Sequence, residues 1–142
     1  MAALDRRPYS EFELHNKLKE KECSEEDIRT VLALCTDYGF INDGEYACML
    51  ARRAKGKNYG PGRLKQELKQ RGISEQFWTD ALNLLDNSSE ILDKLIAQRL
   101  HGKNIKDRKE TDKVAASLFR KGYSWTDIRA ALTRYTDCED LF

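Results

Sequence analysis

Proline is almost missing from this 142-residue chain, which has only Pro8 and Pro61. The long intervals between and after them are rich in Leu, Ala, Lys, Glu and Arg, residues that propagate helix well, and no alternating run of β-branched residues competes for strand. Long apolar runs are missing too: none approaches the roughly 20 residues that cross a bilayer, and no basic start leads into an apolar stretch as in a secretory leader. Cys23, Cys35, Cys48 and Cys138 form no CxxC pair, so reduced thiols and a cytoplasmic location are expected. His15 and His101 have no Cys or carboxylate at a spacing that would complete a metal site. The glycines of GKNYGPG lack the GxxxxGK[ST] order of a phosphate loop and follow no strand. No nucleophile has a local base, and the many carboxylates sit among Lys and Arg at helical spacing, where solvation and i,i+4 pairing account for them. Catalysis, metal and cofactor are therefore not expected.

What is present is charge, and it is segregated. The chain is 40% hydrophobic and 35% charged, with a formal net charge of only +1. Yet Arg52 to Ile73, read RRAKGKNYGPGRLKQELKQRGI, holds eight cations against one anion, Glu67. A mean hydropathy of −0.72 implies thin helical layers, because a deep single core would need more apolar surface to bury.

The chain also repeats at an offset of 50 residues. Leu14, Leu64 and Val114 coincide, as do Leu18, Leu68 and Leu118. Ser24, Ser74 and Ser124 follow as helix N-caps, each with Ile28, Trp78 or Ile128 four residues on, then Val31, Ala81 or Ala131, then Leu32, Leu82 or Leu132. Those spacings make one apolar stripe on a helix. A third segment matches once, pairing Ile41 with Ile91, Tyr46 with Ile96 and Leu50 with Leu100. Repeats of this kind denote stacked helical units that cannot bury their stripes alone.

The caps place the helices. Ser10, with Glu13 as capping-box partner, opens one to about Glu20, and Ser24 opens the next, which Gly39 ends. Asp43 starts a third to about Lys55. Pro61 starts the fourth, since Pro at the first helical position forfeits no hydrogen bond, and Gly72 closes it. Helices from Ser74 to Leu85, from Asn87 or Ser88 to Leu100, from Asp107 to Lys121 and from Ser124 to Tyr135 complete the series, with the last turns of an earlier helix at Ala2 to Arg7. Asn87-Ser88-Ser89 matches a glycosylation acceptor but is better used as a cap. The expectation is an all-α protein of three tandem three-helix repeats forming an elongated curved array, with units at 1–38, 39–86 and 87–142.

On the helix after Pro61, Leu64 and Leu68 define the buried side, which leaves Lys65 and Lys69 together on one flank. Arg63 has Glu67 at i+4, and Arg71 points back along the leucine stripe. On the preceding helix Tyr46 and Leu50 face inward and Arg52 and Lys55 outward. The candidate contact residues are Arg52, Lys55, Lys57, Tyr59, Arg63, Lys65 and Lys69, with Gly56, Gly60 and Gly62 admitting a partner's backbone. Three roles fit such a surface: a protein regulator docked by charge, a DNA-binding module built from helix-turn-helix-like pairs, and a generic helical adaptor. The second helix of each pair carries few exposed Arg, Asn or Gln for reading bases.

The run Phe40-Ile41-Asn42-Asp43 with Tyr46-Ala47, then Arg52, then KNYGPGRLKQELKQRGIS, resembles the RecX family of bacterial recombination regulators. Arg120-Lys121-Gly122-Tyr123-Ser124 with Asp127-Ile128 is similar to that family's final unit. The resemblance covers nearly the whole chain. It implies a monomeric, non-enzymatic regulator of recombination and DNA repair within the SOS response. Such a protein binds the groove of the RecA recombinase filament, inhibits its ATPase and strand-exchange activities, and contacts single- or double-stranded DNA. Acidic stretches at Glu20 to Asp27 and at Asp137 to Asp140 mute the basic character that the family's own DNA binding uses.

Overall fold

The computed structural model describes residues 9–100 and 108–140, which contain eight α-helices and no strand. They are α1 (Glu11–Glu20), α2 (Glu25–Asp37), α3 (Asp43–Gly56), α4 (Pro61–Gln70), a 3-10 turn (Glu75–Phe77) running into α5 (Trp78–Leu82), α6 (Ser88–Leu100), α7 (Arg108–Arg120) and α8 (Trp125–Asp140). The proposed helix at Ala2 to Arg7 lies outside the described residues, as does Asp107. None of the described helices is long and apolar enough to cross a membrane.

The caps act as their chemistry dictates. Ser10 accepts from the Glu13 amide while Glu13 accepts from the Ser10 amide, a complete capping box. Ser24 and Ser124 accept from the amides of Asp27 and Asp127. Asn87, not Ser88, caps α6, accepting from the Ser89 amide at 2.8 Å. The helix expected from Ser74 to Leu85 does not form as one piece. Phe77 stands where the flanking repeats have an acidic N3 residue, and its ring packs against Gly44. The Ser74 side chain makes no cap bond, its carbonyl instead takes the Phe77 amide, and the Trp78 indole donates to the Ile73 carbonyl at 2.9 Å.

The chain packs as two compact units. One comprises the residues up to Arg52 with Lys65–Leu84, the other Arg53–Leu64 with the residues from Leu85 onward. In the first, Tyr9, Leu14, Ile28, Leu32, Cys35 and Ile41 form a core flanked by Leu18 and Val31, and Tyr46, Leu50, Leu68, Ile73 and Ala81 are also buried. In the second, Leu92, Ile96, Leu100, Val114, Leu118, Tyr123, Ile128 and Ala131 join α6, α7 and α8 around one core. Most repeat positions predicted for the stripe are thus buried, although Ala97, the counterpart of Ala47, is exposed.

Each unit contains the same docking motif, a helix start seated on a glycine turn about 60 residues later. In the first, the Ser10 hydroxyl donates to the Arg71 carbonyl, and a Cβ on Gly72 would overlap the Phe12 side chain. In the second, the Gly60 amide donates to the Lys121 carbonyl at 2.7 Å and the Gly62 amide to the Gly122 carbonyl at 2.9 Å.

Candidate functional site

The turn between α3 and α4 is made by backbone chemistry. Asn58 adopts a left-handed φ of 58°, which asparagine tolerates better than most residues. The Asn58 amide reaches the Lys55 carbonyl and the Tyr59 amide the Ala54 carbonyl, the paired bonds that close a helix at a left-handed residue. The buried Tyr123 hydroxyl donates to the Asn58 carbonyl at 2.9 Å. Gly60 and Gly62 then pass so close to Gly122 that a Cβ on either would lie 2.6 or 2.8 Å from its carbonyl oxygen. The close approach expected of an outside partner is therefore made, at these two glycines, by the chain itself; Gly56 alone of the three faces open space.

On this turn the second unit carries four of the candidate residues. The Arg63 guanidinium lies 3.8 Å from the centre of the Tyr59 ring, and the Lys57 ammonium 5.8 Å from it, so the ring holds two cations through its negative faces. Arg63 also donates to the Arg120 carbonyl at 3.3 Å, at the C-terminal end of α7 where positive charge is favoured. Glu67, at i+4 from Arg63, lies 3.8 Å from Arg71, which also meets Glu13 at 3.3 Å. Lys55 faces outward as predicted, but Asp86 answers it at 3.5 Å.

The first unit carries the other three, Arg52, Lys65 and Lys69, all exposed. Burial of Leu68 orients this end of α4, so Lys65 and Lys69 stand one turn apart on its outer flank. No ion pair or hydrogen bond holds any of the three among the described residues. They are charges available to a partner. No cluster of His, Cys, Asp and Glu that could hold a metal occurs among the described residues; His15 pairs with Glu25 at 3.5 Å, and His101 lies outside them.

Sequence patterns displayed Gly122 and Tyr123, which hold the basic turn in place, only as part of a family-like string, and did not single out the surface pair Phe119 and Trp125, whose rings stack at 4.8 Å. Aligning the repeats at those positions would have exposed the pair, since the other two repeats carry Lys and Glu there.

Comparison with known proteins finds one family across most of the chain. Family models described as the first, second and third three-helix domains of RecX match residues 1–34, 42–82 and 88–132. A protein named "Regulatory protein RecX" from Vibrio parahaemolyticus is 33% identical over 131 residues, covering 92% of this chain and 84% of the relative. One of the same name from Pectobacterium atrosepticum is 30% identical over 154 residues, covering 96% and 95%. The crystal structure of RecX from Lactobacillus salivarius superposes with a TM-score of 0.78 at 25% identity, over 99% of this chain and 92% of that one. A second, titled "Crystal structure of regulatory protein RecX", gives 0.70 at 27% identity, over 91% and 67%.

Proposed function

This chain belongs to the RecX family of regulatory proteins, and on that premise we propose that it docks onto the RecA recombinase filament and inhibits its ATP hydrolysis and strand exchange without chemistry of its own. The observation that carries the reading is the pair Lys65 and Lys69, exposed on one flank of α4 with no anion answering them among the described residues. Arg52, in the same unit, is a third cation with no anion answering it among the described residues. In the other unit Lys57 and Arg63, mounted on Tyr59, add contacts of the same sign. A filament groove offers acidic protein surface repeated from protomer to protomer, so many modest charge pairs sum to a useful affinity. Contact with DNA inside the filament adds counterion release.

Reversing Lys65→Glu and Lys69→Glu together is expected to abolish inhibition of DNA-dependent ATP hydrolysis by the recombinase while leaving the helical circular dichroism unchanged. Wild-type inhibition should weaken as salt is raised, because exposed charges are screened. A folded double variant that still inhibits at wild-type concentrations would remove α4 from the docking surface. Binding to bare DNA measured beside binding to the filament separates this role from that of a DNA-binding module, which would bind both equally.

A further inference from the structure

The first unit holds an open groove of about 770 Å³. The start of α1, the loop from α2 to α3 and the turn after α4 wall it, and a space on the order of 300–1,000 Å³ receives a small ligand or a short stretch of chain. Glu11 and Asp43 bring carboxylates to it, and no Lys or Arg lies among the described residues of its lining. Its histidine, His15, is already paired with Glu25. Neither Glu11 nor Asp43 is answered by a cation among the described residues, and Asp43 Oδ1 accepts from the Glu11 amide at 3.1 Å. Burial holds the Asp43 pKa above its ordinary value, against the Glu11 amide bond, and the Glu11 and Glu13 carboxylates push the same way as burial; a cation nearby would lower it. The repeat shows what an aspartate takes at this position. Asp93, 50 residues on, meets Arg134 at 2.9 Å, whereas the counterpart of Arg134 beside Asp43 in the repeat is Leu84. The last repeat supplies an arginine to its aspartate from its own chain, and the middle one leaves its aspartate open.

We propose that this groove receives an extended, arginine-bearing segment of a protein partner. A guanidinium suits both features of the walls. Its fork bonds carboxylates, and its flat face lies on aromatic rings, which Phe12, 50% exposed, and half-buried Phe77 provide. The side-chain amides of Asn16 and Gln76, also in the lining, make no hydrogen bond among the described residues. They can bond the backbone N–H and C=O groups that an extended segment presents and that a helix keeps to itself. The loop from α2 to α3 also exposes Tyr38 by 72% and Phe40 by 58%, with ring centroids 6.1 Å apart. Apolar surface in a wall of the groove favours a protein segment over a small free cation. The groove shares no residue with Arg52, Lys65 and Lys69, and its charge is of the opposite sign, so the partner it selects is basic where the filament surface proposed above is acidic.

The test is a titration of the full chain, followed by backbone-amide NMR, with a short blocked peptide that carries arginine between leucines. A comparison peptide carries citrulline, which keeps the shape of arginine without its charge. Shifts are expected at the amides around Glu11, Asp43 and Gln76, with the citrulline peptide bound about tenfold more weakly. Glu11→Gln with Asp43→Asn removes both charges and keeps an oxygen for the amide of residue 11. It should weaken the arginine peptide about tenfold and leave the citrulline peptide unchanged. Glu11→Gln alone, at an exposed position and mild for folding, should weaken it about threefold. Glu20→Gln with Glu26→Gln, exposed residues outside the groove, makes the same change in net charge and should bind as wild type does. Equal binding of the two peptides, or of wild type and the groove double variant, would overturn the proposal, as would shifts confined to other surfaces. Spermidine bound in the groove more tightly than the peptide would overturn it in favour of a small cation. Groove shifts on concentrating the protein alone would overturn it in favour of a second copy. The groove double variant should still inhibit the recombinase as wild type does; loss of inhibition would assign the groove to the filament and overturn the separate partner.

Discussion

Tyr123 does at the level of one residue what the basic turn cannot do for itself. Its hydroxyl is the side-chain donor to the Asn58 carbonyl, and burial pushes its pKa up to about 12. A phenol whose proton is held more tightly in the folded state stabilises the fold fully below the unfolded pKa of about 10. That contribution is lost as pH rises from about 10 towards 12, because over that interval the unfolded chain binds fewer protons. Wild type should therefore lose stability across this alkaline window, and Tyr123→Phe should lose less there while being weaker at neutral pH by about 0.5–1.5 kcal/mol for the missing hydrogen bond. Denaturant melts at neutral and alkaline pH check both; an equal alkaline decline in the two proteins would place the titrating group elsewhere. The sequence displayed Tyr123 only as part of a family-like string. A contact 65 residues distant has no local signal, whereas the stripe positions Leu14, Leu64 and Val114 announce themselves by period.

Elements were legible where side chain and backbone agree. Ser10 with Glu13, Ser24, Pro61 and Ser124 each marked a helix start that exists, since an N-cap hydroxyl or a proline at the first position acts through neighbours three residues away or fewer. The Ser74 helix was misjudged because Phe77 answers to Gly44, a tertiary demand invisible in the window. Helix ends follow a left-handed rule: Gly39, Gly72 and Gly122 have φ of 75°, 71° and 102°. At the offset of 50 from Gly72, Glu22 takes the same role with φ 63°, a non-glycine in a conformation that favours glycine. The phase of α4 is the element on which the docking surface depends. Leu68, wholly buried, should cost roughly 2–5 kcal/mol when changed to Ala. Lys69→Ala, one residue on and exposed, should cost no more than about 0.5 kcal/mol. Denaturant titration of the two decides the phase, and similar losses would mean that Lys65 and Lys69 do not share an outer flank. In the candidate site, the exposure of Arg52, Lys65 and Lys69 was readable from helical phase; the engagement of Lys55 by Asp86 and of Arg63 by Tyr59 was not, because loop geometry sets both.

For the whole molecule, each small core must hold together against a charge-rich composition. Among the described residues Cys23, Cys35 and Cys48 are in no disulfide, so these three lend the cores no covalent constraint. The thiols differ in what they report. Cys23 is exposed, Cys48 half-buried, and Cys35 wholly buried among Leu14, Ile28 and Leu32 in the first unit's core, where burial raises its pKa. Attack by a disulfide reagent needs the thiolate and access to it. Cys23 should therefore react at once in the native protein, while Cys35 should wait for an opening of its core, at a rate that rises with denaturant as the open population grows. Reductant, in turn, should leave the melting temperature unchanged, since no disulfide joins the described cysteines. Timed modification with mass-spectrometric assignment, run beside a melt with and without reductant, checks both. Rapid native modification of Cys35 would mean that the first core opens freely, and a fall in melting temperature on reduction would mean that a disulfide shares the work of the repeated stripe.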